Sequence, residues 1–241
     1  MASGGGTRLL QRARWLLASV SAIAVLVVVG LIHWNRPGID RFPVRGIDVS
    51  HHQGAVDWLR VAGADIHFAF IKASEGGDHL DTRFEENWRE AGNAGITRGA
   101  YHFFTFCTPG AVQADHFLDV VSPALDVLPP AVDVEFAGNC KSWTSIDDIR
   151  RELGVLLGRL EAAWGRPPVL YITSESEERI ISGHFDEYPV WIRSVFFRPG
   201  GRNPRWLFWQ YTDQGEVPGI ETPVDLNVYR GQPGEIVALL R

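Results

Sequence analysis

The sequence predicts an α/β fold, a barrel of eight parallel strands whose late helices are reduced. Three observations predict it. Short apolar, β-branched runs alternate with amphipathic stretches from residue 45 onward; the alternation thins out after residue 195; and acidic or amide residues recur near the ends of the apolar runs. The 241 residues are 45% hydrophobic and 22% charged, the composition of a folded chain. An α/β barrel of roughly 200 to 250 residues folds as one domain. No repeat, low-complexity run or Pro/Gly linker interrupts the chain after residue 46.

The expected strands are 45–51, 67–74, 99–104, 130–136, 169–173, 189–195, 206–212 and 224–229. The expected helices are 56–64, 82–95, 111–121, 145–164 and 175–182. Strand followed by helix, repeated, implies a parallel sheet with right-handed crossovers. Beyond Val195 the residues Pro199, Gly200, Gly201 and Pro204 break any helix, so the last crossovers are expected to be irregular.

The domain boundaries follow from the N-terminus. Residues 15–34 read WLLASVSAIAVLVVVGLIHW, twenty residues without a charge. At about 1.5 Å per residue such a run crosses a hydrocarbon core of about 30 Å. Trp15 and Trp34 stand where interfacial aromatics belong, and Arg8, Arg12 and Arg14 precede the run. A cleaved signal peptide is the rival reading, but the run is long for one and ends in Leu31-Ile32-His33-Trp34, a poor cleavage context. The expected organisation is a tail over 1–14, an uncleaved transmembrane signal anchor over 15–34, a linker over 35–44 and a barrel over 45–241. With Arg36, Arg41 and Arg45 after the run, the arginines nearby balance, and the positive-inside rule does not decide the orientation.

A formal net charge of −6 without a basic cluster in the body sets nucleic acid aside as a partner. The nine Trp, five Tyr and thirteen Phe are more informative, since aromatic faces stack on sugar rings as well as filling cores.

Chemistry in such a barrel sits at the carboxyl ends of the strands. Asp48 falls in the first expected strand, Lys72 and Glu75 around the end of the second, His102 in the third, and Asp133 and Glu135 in the fourth. Gln210 and Asp213 lie around the seventh, Asp225 and Asn227 in the eighth. Strands meant only for packing would not repeatedly carry carboxylates, because an unpaired buried charge is costly. In Pro129-Pro130-Ala131-Val132-Asp133-Val134-Glu135-Phe136, Asp133 and Glu135 are two apart and share a strand face, roughly 6.5 to 7 Å along the strand. Such a pair has its proton affinities pushed apart, leaving one acid to protonate a leaving oxygen while the other stays anionic. Glycosidases need that pair.

Lys72 and Glu75 read equally as a mutual ion pair or as substrate contacts. His102, among aromatics, reads as a hydrogen-bonded structural histidine. His51-His52 invites a metal site, but neighbours in a strand point to opposite faces and no third ligand stands at suitable spacing, so no metal or other cofactor is expected.

Gly46-Ile47-Asp48-Val49-Ser50-His51-His52-Gln53-Gly54, with Trp58, resembles the opening of glycoside hydrolase family 25, the Chalaropsis-type lysozymes. The resemblance continues through Phe70-Ile71-Lys72-Ala73-Ser74-Glu75-Gly76, Gly99-Ala100-Tyr101-His102-Phe103, the Asp133-x-Glu135 pair, Tyr171, Trp209-Gln210-Tyr211-Thr212 and Val224-Asp225-Leu226-Asn227. It implies a modified TIM-like (β/α) barrel that hydrolyses, without metal and with retention, the β-1,4 bond between N-acetylmuramic acid and N-acetylglucosamine in peptidoglycan glycan strands. Glu135 is then the general acid/base. Asp133 either attacks the anomeric carbon or orients the substrate's 2-acetamido group to do so. Asp48 and Asp225 become flanking carboxylates, and Tyr101, Tyr171, Trp191 and Gln210 line sugar subsites. With the anchor, the expectation is a single-pass monomer of the inner membrane, its catalytic domain periplasmic or extracellular.

The chain departs from the family after Val190-Trp191-Ile192, where a small residue and an aromatic are usual and Arg193-Ser194-Val195-Phe196-Phe197-Arg198 stands instead. Cys107 and Cys140 lie three and four residues beyond neighbouring expected strands. Parallel neighbours are about 4.8 Å apart, so a disulfide is expected in an oxidising compartment. A chitinase-like barrel would need a D-x-x-D-x-D-x-E run, which residues 126–135 (DVLPPAVDVE) do not supply, and a glycan-binding barrel without activity would be expected to lack Asp133 or Glu135.

Overall fold

The computed structural model describes residues 36–143, 145–200 and 205–240, together with residues 11, 14, 15, 17–24, 26, 27 and 30. The chain divides into two units, Met1–Arg36 and Pro37–Arg241. In the first, the described residues up to 30 are helical. Of the expected span over 15–34, residues 16, 25, 28, 29 and 31–34 lie outside the described residues, as does the expected tail over 1–14 apart from residues 11 and 14; no helix among the described residues is long and apolar enough to cross a membrane.

The second unit is the barrel. Its strands are β1 (Arg45–Val49), β2 (Phe68–Glu75), β4 (Thr97–Phe103), β5 (Ala131–Val134), β6 (Val169–Ile172), β7 (Val190–Arg193), β8 (Trp206–Gly215) and β9 (Val224–Tyr229). A two-residue strand, β3 (His79–Leu80), hangs as a hairpin on β2. The order β1-β9-β8-β7-β6-β5-β4-β2 closes through a β1–β2 pairing, so all eight strands of the ring have two neighbours. The helices are α1 (Trp58–Gly63), α2 (Phe84–Asn93), α3 (Gly110–Val120), α4 (Ile146–Trp164), a short α5 (Ser174–Ser176) continued by a π-turn (Glu177–Ile181), and α6 (Pro233–Ala238).

One expectation is corrected. The sheet is not wholly parallel: β9 runs antiparallel to both β8 and β1. The eight residues between β8 and β9 are too few for a crossover, and Pro218, Gly219 and Pro223 turn the chain straight back. The reversal matters for the site, because Asp225 near the start of β9 thereby reaches the pole where the parallel strands end; it pairs in register with Asp48. The first strand also stops earlier than expected. Ser50 caps a 3-10 turn (His51–Gln53), and the Gln53 side chain returns to the Ser50 backbone N–H. Phe42 and Val44, in the stretch read as linker, are buried in the barrel unit, with the Phe42 ring 5.9 Å from those of Trp206 and Trp209.

Period two sorts the strands into two cores. Ile47, Val49, Ala69, Ile71, Val132, Val134, Leu170, Ile172 and Trp209 face outward and pack with helix residues such as Phe117, Leu153 and Leu157. The alternate residues point into the barrel, where Phe68, Phe70, Ala131, Val169, Trp191, Phe208 and Tyr229 form a second core. These five large rings fit there only because neighbouring positions are small. A Cβ on Gly46 would lie 2.5 Å from the Phe68 ring, and one on Gly99 2.7 Å from that of Phe70. The aromatic plug fills the lower barrel and forms a floor on which the polar residues above it rest.

Candidate active site

One step further along each inward row the apolar residues give way to polar ones. On β1 the inward row continues from Gly46 to Asp48, on β5 from Ala131 to Asp133 and then Glu135 just past the strand, and on β7 from Trp191 to Arg193. These side chains line a cleft of about 850 Å³. Asp48, Tyr101, Asp133, Glu135, Tyr171, Trp191, Gln210 and Asp225, the eight residues that the sequence analysis put forward for catalysis and sugar contact, all line it.

Asp48 is the hub of a hydrogen-bonded network. Gln210 Nε2 donates to both of its oxygens, at 3.0 and 3.2 Å, and Asn227 Nδ2 donates to Oδ1 at 2.6 Å. Each donor is itself oriented: Tyr171 OH donates to Gln210 Oε1 at 3.0 Å, and Trp191 Nε1 to Asn227 Oδ1 at 2.8 Å. The Trp191 indole stacks on Phe70, centroids 4.5 Å apart, so the plug fixes the network from below. Burial raises the proton affinity of Asp48 while the bonds from Asn227, Gln210 and Asp225 oppose it. Asp225 is pushed up to about 9 by burial and by the adjacent Asp48 charge. Asp225 therefore keeps its proton through neutral pH beside Asp48.

Asp133 is buried, and its Oδ1 has no hydrogen-bond partner among the described residues. Burial lifts it well above the ordinary carboxylate range; the Glu135 charge adds to the rise and Lys72 opposes it. Glu135 is raised by burial as well, with Asp48 adding, and Arg193 and Lys72 opposing. The two acids are therefore both driven upward rather than split around the usual value, since they share one desolvated wall. Burial and then the carboxylates push the phenols of Tyr101 and Tyr171 well above their ordinary value, keeping both as neutral donors. A carboxyl whose proton affinity is raised, a second buried acid with an open acceptor, and neutral donors around them can move a proton to and from a glycosidic oxygen.

The sequence model of glycosyl hydrolases family 25 matches residues 47–220, which include every strand of the ring from β2 to β8 and most of β1. The chain belongs to this family. It is accordingly a glycoside hydrolase. Lysozyme M1 of Streptomyces globisporus is 35% identical over 213 residues, covering 83% of this chain and 72% of that protein. Uncharacterized protein YegX of Escherichia coli strain K12 is 36% identical, with 83% and 74% covered. Among solved structures, a family 25 glycosyl hydrolase from Bacillus anthracis superimposes with a TM-score of 0.80 at 36% identity, covering 85% of this chain and 97% of that one.

Within this family 25 hydrolase, other polar residues noted in the sequence sit elsewhere. His102 points outward beneath α3. Its Nδ1 meets Ser74 Oγ at 2.9 Å and its Nε2 meets Gln113 Oε1 at 3.1 Å, and burial lowers its pKa to about 4. Lys72 and Glu75 form an ion pair at 2.7 Å. His51 Nδ1 pairs with Asp81 at 2.8 Å, and no metal-holding cluster stands among the described residues. Cys107 and Cys140 form a disulfide, Cα atoms 6.3 Å apart, between the loops that follow β4 and β5.

Two contributors escaped the list of site residues. Asn227, seen only as a polar strand residue, is the second anchor of Asp48; its inward parity with Asp225 was the available signal. Arg193 is the one cation lining the cleft among the described residues, against six carboxyls, and it holds Asp213 at 2.7 Å. It stood out in the sequence only as a departure from the family pattern.

Proposed function

We propose that this hydrolase cleaves the β-1,4 bond between N-acetylmuramic acid and N-acetylglucosamine of peptidoglycan, with retention. The observation that carries the proposal is the meeting of four carboxyl groups, Asp48, Asp133, Glu135 and Asp225, in one cleft of a family 25 barrel. A lysozyme and an N,O-diacetylmuramidase among the relatives support the substrate class. Glu135, protonated, gives its proton to the glycosidic oxygen as the bond from C1 breaks, and the departing sugar leaves as an alcohol. The acetamido carbonyl oxygen closes on C1 from the opposite face to give an oxazolinium ion, and Asp133 accepts the acetamido N–H. The unpartnered Asp133 Oδ1 favours this role over direct attack, since a buried acceptor gains most from a donor that the substrate brings. Water then adds to C1, losing its proton to Glu135, and two inversions leave the configuration retained.

The uncharged run over 15–34 supports a membrane anchor, with the barrel outside the cytoplasm and acting as a monomer on nearby wall. The Cys107–Cys140 disulfide fits an oxidising compartment.

Digestion of purified peptidoglycan by the full chain, with mass analysis of the new ends, tests the reaction. Reducing N-acetylmuramic acid is the expected end. Glu135→Gln is expected to lower the rate by about 10²- to 10⁴-fold while the variant stays folded. Reducing N-acetylglucosamine ends would refute the bond assignment, and glycan that binds but stays intact would mark a binding barrel.

A further inference from the structure

Aromatic rings in the barrel unit are buried or half-buried with two exceptions. Among the described Phe, Trp and Tyr residues of that unit, only Phe196 and Phe197, at 54% and 68% exposure, stand out in solvent. They are consecutive, they lie on the connection from β7 to β8, and both line the acidic cleft. Isolated exposed aliphatic residues are ordinary on a protein surface; two adjacent exposed rings on the lip of a cleft are not.

The stem of this connection is fastened. Ser194 N–H donates to Gln210 O at 3.0 Å, and Trp209 Nε1 donates to Ser194 O at 2.9 Å. Ser194 Oγ donates to Phe197 O at 2.5 Å, closing a tight turn around the two rings, and Arg193 at its base is held by Asp213. The rings are thus presented from a fixed turn, which lowers the ordering cost of binding. An aromatic face beside an arginine–carboxylate pair matches a sugar ring, which offers an apolar face for stacking and hydroxyls around its rim.

We propose that Phe196 and Phe197, with the Arg193–Asp213 pair, form an outer glycan subsite that gives this enzyme its hold on long strands. The inference rests on the glycan-cleaving reading of the cleft and adds a strand-length preference to it. Sugar units away from the scissile bond stack on the two rings, so the subsite acts on binding rather than on bond cleavage.

The test compares the full chain with the Phe196→Ala/Phe197→Ala double variant on two substrates, long peptidoglycan strands and a chromogenic disaccharide glycoside of the same sugars. On long strands the variant is expected to raise KM about tenfold with kcat little changed. On the short glycoside it is expected to match the parent within about twofold. A variant with Phe196→Tyr and Phe197→Tyr keeps the rings and should keep the parent's KM, whereas Leu at both positions should behave as Ala does. An unchanged KM on long strands would overturn the subsite, as would an equal loss on both substrates or a failure of the tyrosines to rescue. If the parent cleaves neither substrate, the hydrolytic reading fails instead; co-sedimentation with insoluble glycan then still decides the subsite, which requires weaker retention of the alanine variant than of the tyrosine one.

Discussion

The lower and upper halves of the barrel interior are built from the same strands and differ in kind. Below, Phe68, Phe70, Val169, Phe208 and Tyr229 close the ring with aromatic and aliphatic groups fitted around Gly46 and Gly99. Above, the next inward positions carry Asp48, Asp133, Gln210 and Asn227, all buried. A two-residue step along a strand thus passes from a region that stabilises the fold to one that strains it, because buried carboxyls resist ionisation. The lower half supplies the folding free energy that the upper half consumes, and Trp191, stacked on Phe70 and bonded to Asn227, joins the two.

The comparison would break most visibly at Phe70. Phe70→Ala leaves a hole among rings that touch from three directions, and such truncations cost about 3–5 kcal/mol. Thermal unfolding should drop by roughly 6 to 20 °C at about 2–4 °C per kcal/mol for a domain of this size. A drop of only a degree or two would mean that the plug is not what supports the site. The next largest effect should lie at the upper pole. There the loops after β4 and β5 meet through a few rings only, Phe104, Phe106 and Phe136, and the Cys107–Cys140 bond ties them across 33 residues of chain. Replacing both cysteines by serine should cost about 2–4 kcal/mol and should also lower activity, since the β5 loop follows directly on Glu135. Chemical denaturation beside a hydrolysis assay separates the two effects. Equal stability of the serine variant would show the bond to be incidental.

The two halves were not equally legible in the sequence. Strand positions and the shared face of Asp133 and Glu135 followed from period two, and the acids stood out as carboxylates among Val, Ile and Phe; the rings that fill the lower barrel, Phe68, Phe70, Phe208 and Tyr229, were not read from the sequence. The direction of β9 was missed because alternation of strand and helix was extended to a place where no helix stood; the short, turn-rich connection carried the contrary signal. That error bore directly on the site, since in a parallel β9 Asp225 would sit at the wrong pole. The helix α6 was also overlooked, although Gln232, Pro233 and Glu235 spell a capped start. Phe196 and Phe197 were legible only as a departure from a family pattern. Whether a loop phenylalanine is buried or exposed is decided by tertiary packing, and no periodicity reports it.

The smallest expected effect concerns charge, and it sharpens the contrast most. Asp225 holds its proton up to about 9 in the folded barrel, against about 3.9 in an unfolded chain. Between those values the folded state binds more protons, so its contribution to stability is full below about pH 4, declines as pH rises, and is gone above about 9. His102 works in the opposite sense. Its folded value of about 4 lies below the unfolded value of about 6.5, so stability is lost as pH falls from about 6.5 towards 4. From pH 8.5 down to about 6.5 the carboxyl effect therefore acts without opposition from His102, and the melting temperature should climb on acidification. Asp225→Asn keeps the size of the side chain and removes the titration. It should flatten that climb and, at pH 8, raise the melting temperature by about 2–4 °C while activity falls. A variant that melts lower than the parent at pH 8 would mean that the Asp225 carboxylate stabilises the barrel, and the division between a stabilising floor and a strained site would not hold at this position.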